Sequence, residues 1–215
     1  MLDEIINNSN NNNNNDWLST IVLLNNSGPK ITNILHYLEC INLNQSAVFT
    51  MYVDQPTQNQ SDSWSGTPTD PNVGHTFIAI KQNNIRRVLG FYPSSGVNPF
   101  TNPSTSSSLI DDSGHSFHTS ISVSISPAKL QTIIAYISNY PSTYNLTTYN
   151  CTDFGLSLSK LAGINIPSAK GTWPGGSGNN PGQLGQNIRK IPLPTGSSLK
   201  NTTGGNSPLN QGNCN

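Results

Sequence analysis

The sequence predicts one α+β domain, an antiparallel sheet packed against a helix that begins with a cysteine. Three stretches carry that prediction. GHTFIAIKQ (74–82) and IRRVLGFY (85–92) flank Asn83-Asn84 and read as a β-hairpin. Residues 116–125 alternate apolar and polar side chains, as a strand with one dry face does. Tyr149-Asn150-Cys151-Thr152-Asp153-Phe154 reads as a helix start. Asn150 can cap the helix with its side-chain oxygen, and Asp153, three residues on, can answer the cap's own N–H.

At 215 residues the chain fits one domain. It divides into a disordered Asn-rich leader (1–28), the domain itself (29–191) and a Gly-, Asn- and Pro-rich tail (192–215). Charged residues are only 9%, the formal net charge is zero and no basic run occurs, which argues against nucleic acid as the partner. The longest apolar stretch, Trp17 to Leu24, falls far short of the ~20 residues of a membrane-spanning helix. An acidic start (Asp3, Glu4) without a basic region argues against a conventional signal peptide.

Taken in order, Ile31, Ile34, Leu35 and Leu38 recur at helical spacing and predict a short amphipathic helix within 29–40, with His36 on its outer face. Residues 47–53 are β-branched and aromatic and form a strand; 57–72 is a polar loop long enough to serve as a rim or lid. In the hairpin the turn sets the register, so that Ala79 faces Val88, Phe77 faces Gly90 and His75 faces Tyr92 at the open end. Residues 93–108 read as a second loop. After the alternating strand, Ser126-Pro127 opens a helix with the stripe Leu130, Ile133, Ile134 and Ile137. The cysteine helix carries Phe154, Leu158 and Leu161 at helical spacing and stops at Gly163. Beyond Pro167 the composition predicts irregular coil wrapping the core, then a frayed end.

Chemistry concentrates on Cys151. In the first helical turn it sits beside unpaired N–H groups and the positive end of the helix dipole, both of which favour thiolate. The plainer reading is a small buried cysteine used for packing. A cysteine nucleophile needs a base and a group that orients the base. His75 is the candidate base: it starts a strand that must be central, after a glycine that leaves room. The Cys151 N–H would help bind an oxyanion. Tyr92 is either an orienter, an oxyanion donor or a core-edge aromatic. Asn150, Asp112, His115 and Tyr144 are the candidates for oxyanion and supporting positions. Asp112-Ser113-Gly114 reads as a turn whose Asp112 or His115 lines the thiol site. That is favoured over a transition-metal site, because His115 and His118 would point to opposite faces of a strand. No metal or cofactor is expected, and no nucleophile elbow, phosphate loop or dinucleotide fingerprint is present. In an oxidising compartment Cys40 and Cys214 would pair and leave Cys151 free.

The order of histidine strand, second strand and cysteine at a helix start resembles the circularly permuted branch of the NlpC/P60 papain-like superfamily. Its lecithin:retinol-acyltransferase-like members carry N-C-E-H-F at the nucleophile; the corresponding run here is Asn150-Cys151-Thr152-Asp153-Phe154. The chain is more similar still to bacterial proteins, often from Bacteroidetes and attached to secretion-system or Rhs-type carriers. The shared runs YVDQP, GHTFI, GFYP, DDSGH, YNCTDF and GNNPGQLG begin here at Tyr52, Gly74, Gly90, Asp111, Tyr149 and Gly178. The resemblance implies a papain-like fold, Cys151 as nucleophile and His75 as base. For the third residue, Tyr92 is nearest by pairing and Arg86 or Arg87 by spacing. It further implies a cysteine peptidase or amidase acting on a peptide or peptidoglycan-like substrate. Such a protein would be delivered by a specialised secretion system after a cytoplasmic stage, with an immunity protein or a secretion carrier as partner. One alternative is an acyltransferase or lipid-acting thiol enzyme on the same dyad, which needs an exposed apolar groove that the polar loops do not advertise. The other is a non-catalytic binding domain on the same scaffold.

Overall fold

The structure is a computed structural model that describes residues 28–67, 70–194 and 198–212. The leader before Gly28 and Cys214 lie outside the described residues. In chain order the elements are α1 (Ile34–Leu38), β1 (Ala47–Asp54), β2 (Ser65–Thr67), β3 (Asp70–Asn72), β4 (His75–Gln82), β5 (Ile85–Pro93), β6 (Ser104–Asp111), β7 (Ser116–Phe117), β8 (Thr119–Ile125), α2 (Pro127–Ser138), β9 (Thr143–Asn145), α3 (Cys151–Ala162), β10 (Lys170–Trp173), β11 (Gly176–Asn179), α4 (Pro181–Lys190), β12 (Ser198–Asn201) and β13 (Gly205–Asn206). The fold is mixed α+β, organised on a seven-stranded sheet of order β12-β8-β1-β4-β5-β6-β9 in which every neighbouring pair is antiparallel.

The strongest hydrophobic signals become the centre of this sheet. β1 and β4 are buried along nearly their whole length, and the hairpin register is the one the turn dictates, with Ala79 opposite Val88 and Phe77 opposite Gly90. One sheet face (Phe49, Met51, Ile78, Ile80, Leu89, Phe91, Ile121) forms a single core with Leu130 and Ile133 of α2, Phe154 and Leu158 of α3, and Leu184 and Ile188 of α4. Each fully buried Phe or Ile in such a core contributes roughly 1.5–3 kcal/mol. The opposite face carries a smaller cluster of Tyr52, Phe77, Ala79, Val88 and Phe117. Helix α3 lies close against β1 and β4: a Cβ on Gly155 would stand 2.5 Å from Thr76 and 3.2 Å from the Met51 sulfur.

Several expectations are corrected. The first helix is only Ile34–Leu38, because the chain before it is drawn alongside β6: Lys30 bridges Ile110, and the Ile31 N–H donates to the Leu109 carbonyl at 2.9 Å. His36 is on the surface as expected, paired with Glu39 at 2.9 Å. The expected loop over 93–108 contains most of β6, whose serine-rich sequence hides a strand that pairs on both edges. The expected continuous strand over 116–125 breaks at His118 into β7 and β8. The expected coil beyond Pro167 folds instead into the β10–β11 hairpin, then α4, capped by Asn180 with Pro181 in its first turn, then β12, which extends the main sheet beside β8. Cys40 is disulfide-bonded and Cys151 is a free, buried thiol. Among the described residues no helix is long and apolar enough to cross a membrane.

Candidate active site

Helix α3 starts on a reciprocal cap. Asn150 has extended backbone (φ −122°, ψ −169°), and its side-chain oxygen accepts the N–H groups of Thr152 and Asp153. The Asp153 carboxylate accepts the Asn150 N–H at 3.0 Å. The Asn150 amide donates in turn to the carbonyls of Leu146 and Asn179, which ties the cap to its surroundings. Cys151 is therefore the first helical residue, and its N–H has no carbonyl within the helix to satisfy it.

The thiol is enclosed at the start of β4, facing His75, the Thr76 N–H and the Thr152 hydroxyl. Burial alone would push the thiol up. The hydrogen bond and positive charge of His75, with the two threonine donors, outweigh burial and bring it below the ordinary cysteine value. His75 is also almost fully buried. Burial pulls its imidazole down, but the carboxylate of Asp112 and then the Cys151 thiolate push it up to about 10. The arrangement favours a thiolate–imidazolium pair.

The two ring nitrogens divide the work. Nε2 lies 3.0 Å from Asp112 Oδ2. Nδ1 is buried, and the Cys151 thiol lies beside the same ring. Phe77 stacks on the ring at a centroid distance of 5.6 Å and 7°, and Tyr92 tilts against it at 4.2 Å.

Asp112 is fully buried. Its Oδ1 accepts the Tyr92 hydroxyl at 2.8 Å, so that hydroxyl serves the carboxylate and not an imidazole nitrogen. Burial, then the Asp112 charge, hold the Tyr92 phenol far above its usual range, so it stays a donor. The Asp112 carbonyl accepts the His115 N–H at 3.1 Å and the Ser207 hydroxyl at 2.8 Å. Tyr144 is buried with its hydroxyl beside both the thiol and the backbone N–H of Cys151. Burial, then the thiolate, raise its phenol and keep it protonated.

Of the residues singled out from sequence, Cys151, His75, Asp112, Tyr92, Tyr144 and Asn150 converge. His115 stands at the edge, its ring 5.6 Å from that of His75 and its Nε2 3.7 Å from Asp54. His118 does not point away from it: its Nδ1 lies 3.0 Å from the other Asp54 oxygen and accepts the Gln55 N–H. The strand break at His118 cancels the alternation that would have separated the two rings. Among the described residues no group of three or more His, Cys, Asp or Glu could hold a metal ion. Arg87 lies elsewhere, holding the carbonyls of Tyr37, Gln211 and Gly212, and Arg86 pairs with Gln211, so neither supplies the third residue.

Sequence reasoning missed Gly90. A Cβ there would fall 2.0 Å from Asp112 Oδ2 and 2.4 Å from His75 Nε2, so the pair can meet only over a residue without a side chain. A glycine inside a strand was the available signal. Also missed was the cleft that Cys151 helps to line. Trp64, Pro71 and Val73 line one side; Pro99, Phe100, Leu146, Trp173, Pro174 and Pro181 line the rest, with no charged side chain among the lining residues. The expectation that polar loops would offer no apolar groove is thus corrected: a few aromatic and proline residues from those loops gather at one place. The amides on the wall are already committed. Asn150 serves Leu146 and Asn179, Asn179 serves Asp153 and Ala169, and Asn180 serves Ala169 and Gln183. Against this geometry, comparison with family models, curated proteins and solved structures yields no significant match, so no family is assigned by similarity.

Proposed function

We propose that this protein is a cysteine hydrolase, a peptidase or amidase, that works through an acyl-enzyme on Cys151. The observation that carries the reading is the buried line Cys151–His75–Asp112, in which the imidazole lies between the thiol and a carboxylate 3.0 Å from its Nε2. The Cys151 thiolate attacks the carbonyl carbon and forms the C–S bond. Negative charge moves to the carbonyl oxygen, within reach of the Cys151 N–H and the Tyr144 hydroxyl. The His75 imidazolium gives its proton to the leaving amine as the C–N bond breaks. The neutral imidazole then takes a proton from water, which attacks the thioester; the acid product leaves and the thiolate returns. Asp112 holds Nε2–H throughout.

The resemblance noted above supports a setting in which such an enzyme is delivered to a target cell and acts on peptidoglycan. The cleft constrains this. A carboxylate carried into a wall without a cation costs several kcal/mol, so the segment next to the scissile bond should be uncharged. The same wall favours a second reading, transfer or hydrolysis of an apolar acyl group, because it offers hydrocarbon contact and few free hydrogen-bonding groups. Wild type and Cys151→Ala are incubated with purified peptidoglycan and with a series of acyl amides and esters of rising apolar length, and products are read by mass. Cys151-dependent release is expected from at least one arm, and the arm that responds chooses between the readings. A thiol that alkylates with an ordinary pH profile, together with no turnover in any arm, would leave only a binding module.

A further inference from the structure

We infer that the chain segment 198–212 is a strap that positions the catalytic carboxylate, with Ser207 and Asn210 as its two working residues; this rests on the Cys151–His75–Asp112 reading above. The strap leaves the main sheet at β12, pairs as β13 with β7, and crosses to β5, where Gln211 and Arg86 exchange both backbone hydrogen bonds. On the way it grips the 111–115 turn at three points. The Ser207 N–H donates to the His115 carbonyl at 2.8 Å, and the Ser207 hydroxyl donates to the Asp112 carbonyl at 2.8 Å. The Asn210 amide donates to Asp111 Oδ2 at 2.6 Å and to the Tyr37 hydroxyl at 2.8 Å, while its oxygen accepts the Val88 N–H at 2.8 Å. Leu209 lies over Gly114.

The turn needs this help. The β5–β6 ladder ends at Leu89 with Asp111, one residue short of the carboxylate. The Asp112 N–H reaches the Val88 carbonyl only at 3.4 Å. Beyond the sheet, the backbone of Asp112 is fixed by its own turn, through the His115 N–H, and by Ser207 from the strap. A carboxylate that must meet Nε2 at 3.0 Å over Gly90 has no slack for a turn that drifts. Ser207 and Asn210 touch neither substrate nor the reacting atoms. They act through Asp112, and so are positioning residues.

The test reads the thiol and needs no substrate. Iodoacetamide alkylation of Cys151 is followed across pH in the full chain for wild type, Ser207→Ala, Ser207→Thr and Leu199→Ala, the last an exposed strap position away from the turn. Wild type is expected to alkylate with a midpoint below that of an ordinary thiol. Ser207→Ala should move the midpoint upward and lower the rate on the acid side by about fivefold, the factor that one hydrogen bond commands. Thr, which keeps the hydroxyl, should restore it, and Leu199→Ala should match wild type. An unmoved midpoint in folded Ser207→Ala, or an equal shift in Leu199→Ala, overturns the strap while leaving the hydrolase reading in place. An ordinary midpoint in wild type overturns both. Where Ser207→Ala does not fold, Asn210→Asp decides in its stead: it sets a carboxylate against Asp111 without changing side-chain size, and the proposal requires the same upward shift.

Discussion

Replacing Asp112 by Asn keeps the volume of a fully buried side chain and removes only its charge. The imidazole of His75 stands at about 10 although burial pulls it below the ordinary 6.5; the carboxylate is the main cause of the difference. Without it only the Cys151 contacts oppose burial, and the ring falls back toward the ordinary imidazole value. Cys151 then loses the cation that holds its thiol down. Since thiolate population changes about tenfold per unit, alkylation near pH 6 should fall by roughly 10²–10³. Turnover should fall at least as far, given that the same exchange in a serine triad costs about 10⁴ in kcat. Stability responds with a defined sign. A group whose folded pKa is raised stabilises the fold fully below its unfolded value and loses that contribution as pH climbs through the folded one. For His75 alone the window runs from 6.5 to about 10, but the lowered Cys151 thiol contributes with the opposite sign up to the ordinary thiol value of 9.0, so wild type should lose thermal stability mainly above that value, and Asp112→Asn should lose less. The assay pairs alkylation rates with melting curves across that window. Wild-type alkylation at every pH by a folded Asp112→Asn would refute the role assigned to this carboxylate.

Other perturbations follow from the same geometry. Gly90→Ala places a methyl in the Asp112–His75 contact and should cost about 1–3 kcal/mol as overpacking, with loss of acid-side alkylation; a crystal structure of the variant should show the two side chains apart. Tyr92→Phe leaves Asp112 Oδ1 without its donor and should destabilise by about 1–3 kcal/mol by denaturant unfolding, while the thiol midpoint moves less than in Asp112→Asn. Asn150→Ala removes the α3 cap together with its ties to Leu146 and Asn179 and should cost about 1–2 kcal/mol, read by chemical denaturation. Above pH 10 hydrolysis should decline as His75 loses its proton, whereas alkylation, which needs only thiolate, should not; parallel pH profiles of the two would contradict the general-acid role.

What the sequence disclosed, it disclosed through short-range chemistry. The α3 cap, its stop at Gly163 in the left-handed region (φ 93°), the α2 start at Ser126-Pro127 and the hairpin register are each written within a dozen residues. The thiol and the imidazole could be named for that reason. The α4 helix was obscured by its glycines and asparagines, although Asn180-Pro181 caps and opens it and Leu184 and Ile188 face the core. β6 was obscured because serines carry no alternation, and the apolar cleft because its walls come from four separate stretches of the chain.

Asp112 was named as a supporting residue, but its role as the orienter of His75 was hidden for a deeper reason. Register arguments compare adjacent strands, and by that logic the partner of His75 had to lie on β5, where Tyr92 is. The carboxylate comes from beyond β6, two strands from β4, some 9–10 Å away at the usual strand spacing. Two side chains can span that gap only if the strand between them presents nothing. Gly90 is that blank, and Tyr92, two residues on and on the same face, supplies the hydroxyl that fixes the free oxygen of Asp112. The GFYP run at 90–93 therefore combines an absence and a donor. Glycine and tyrosine two apart in a strand next to a candidate base point across that strand, to a carboxylate on the far side.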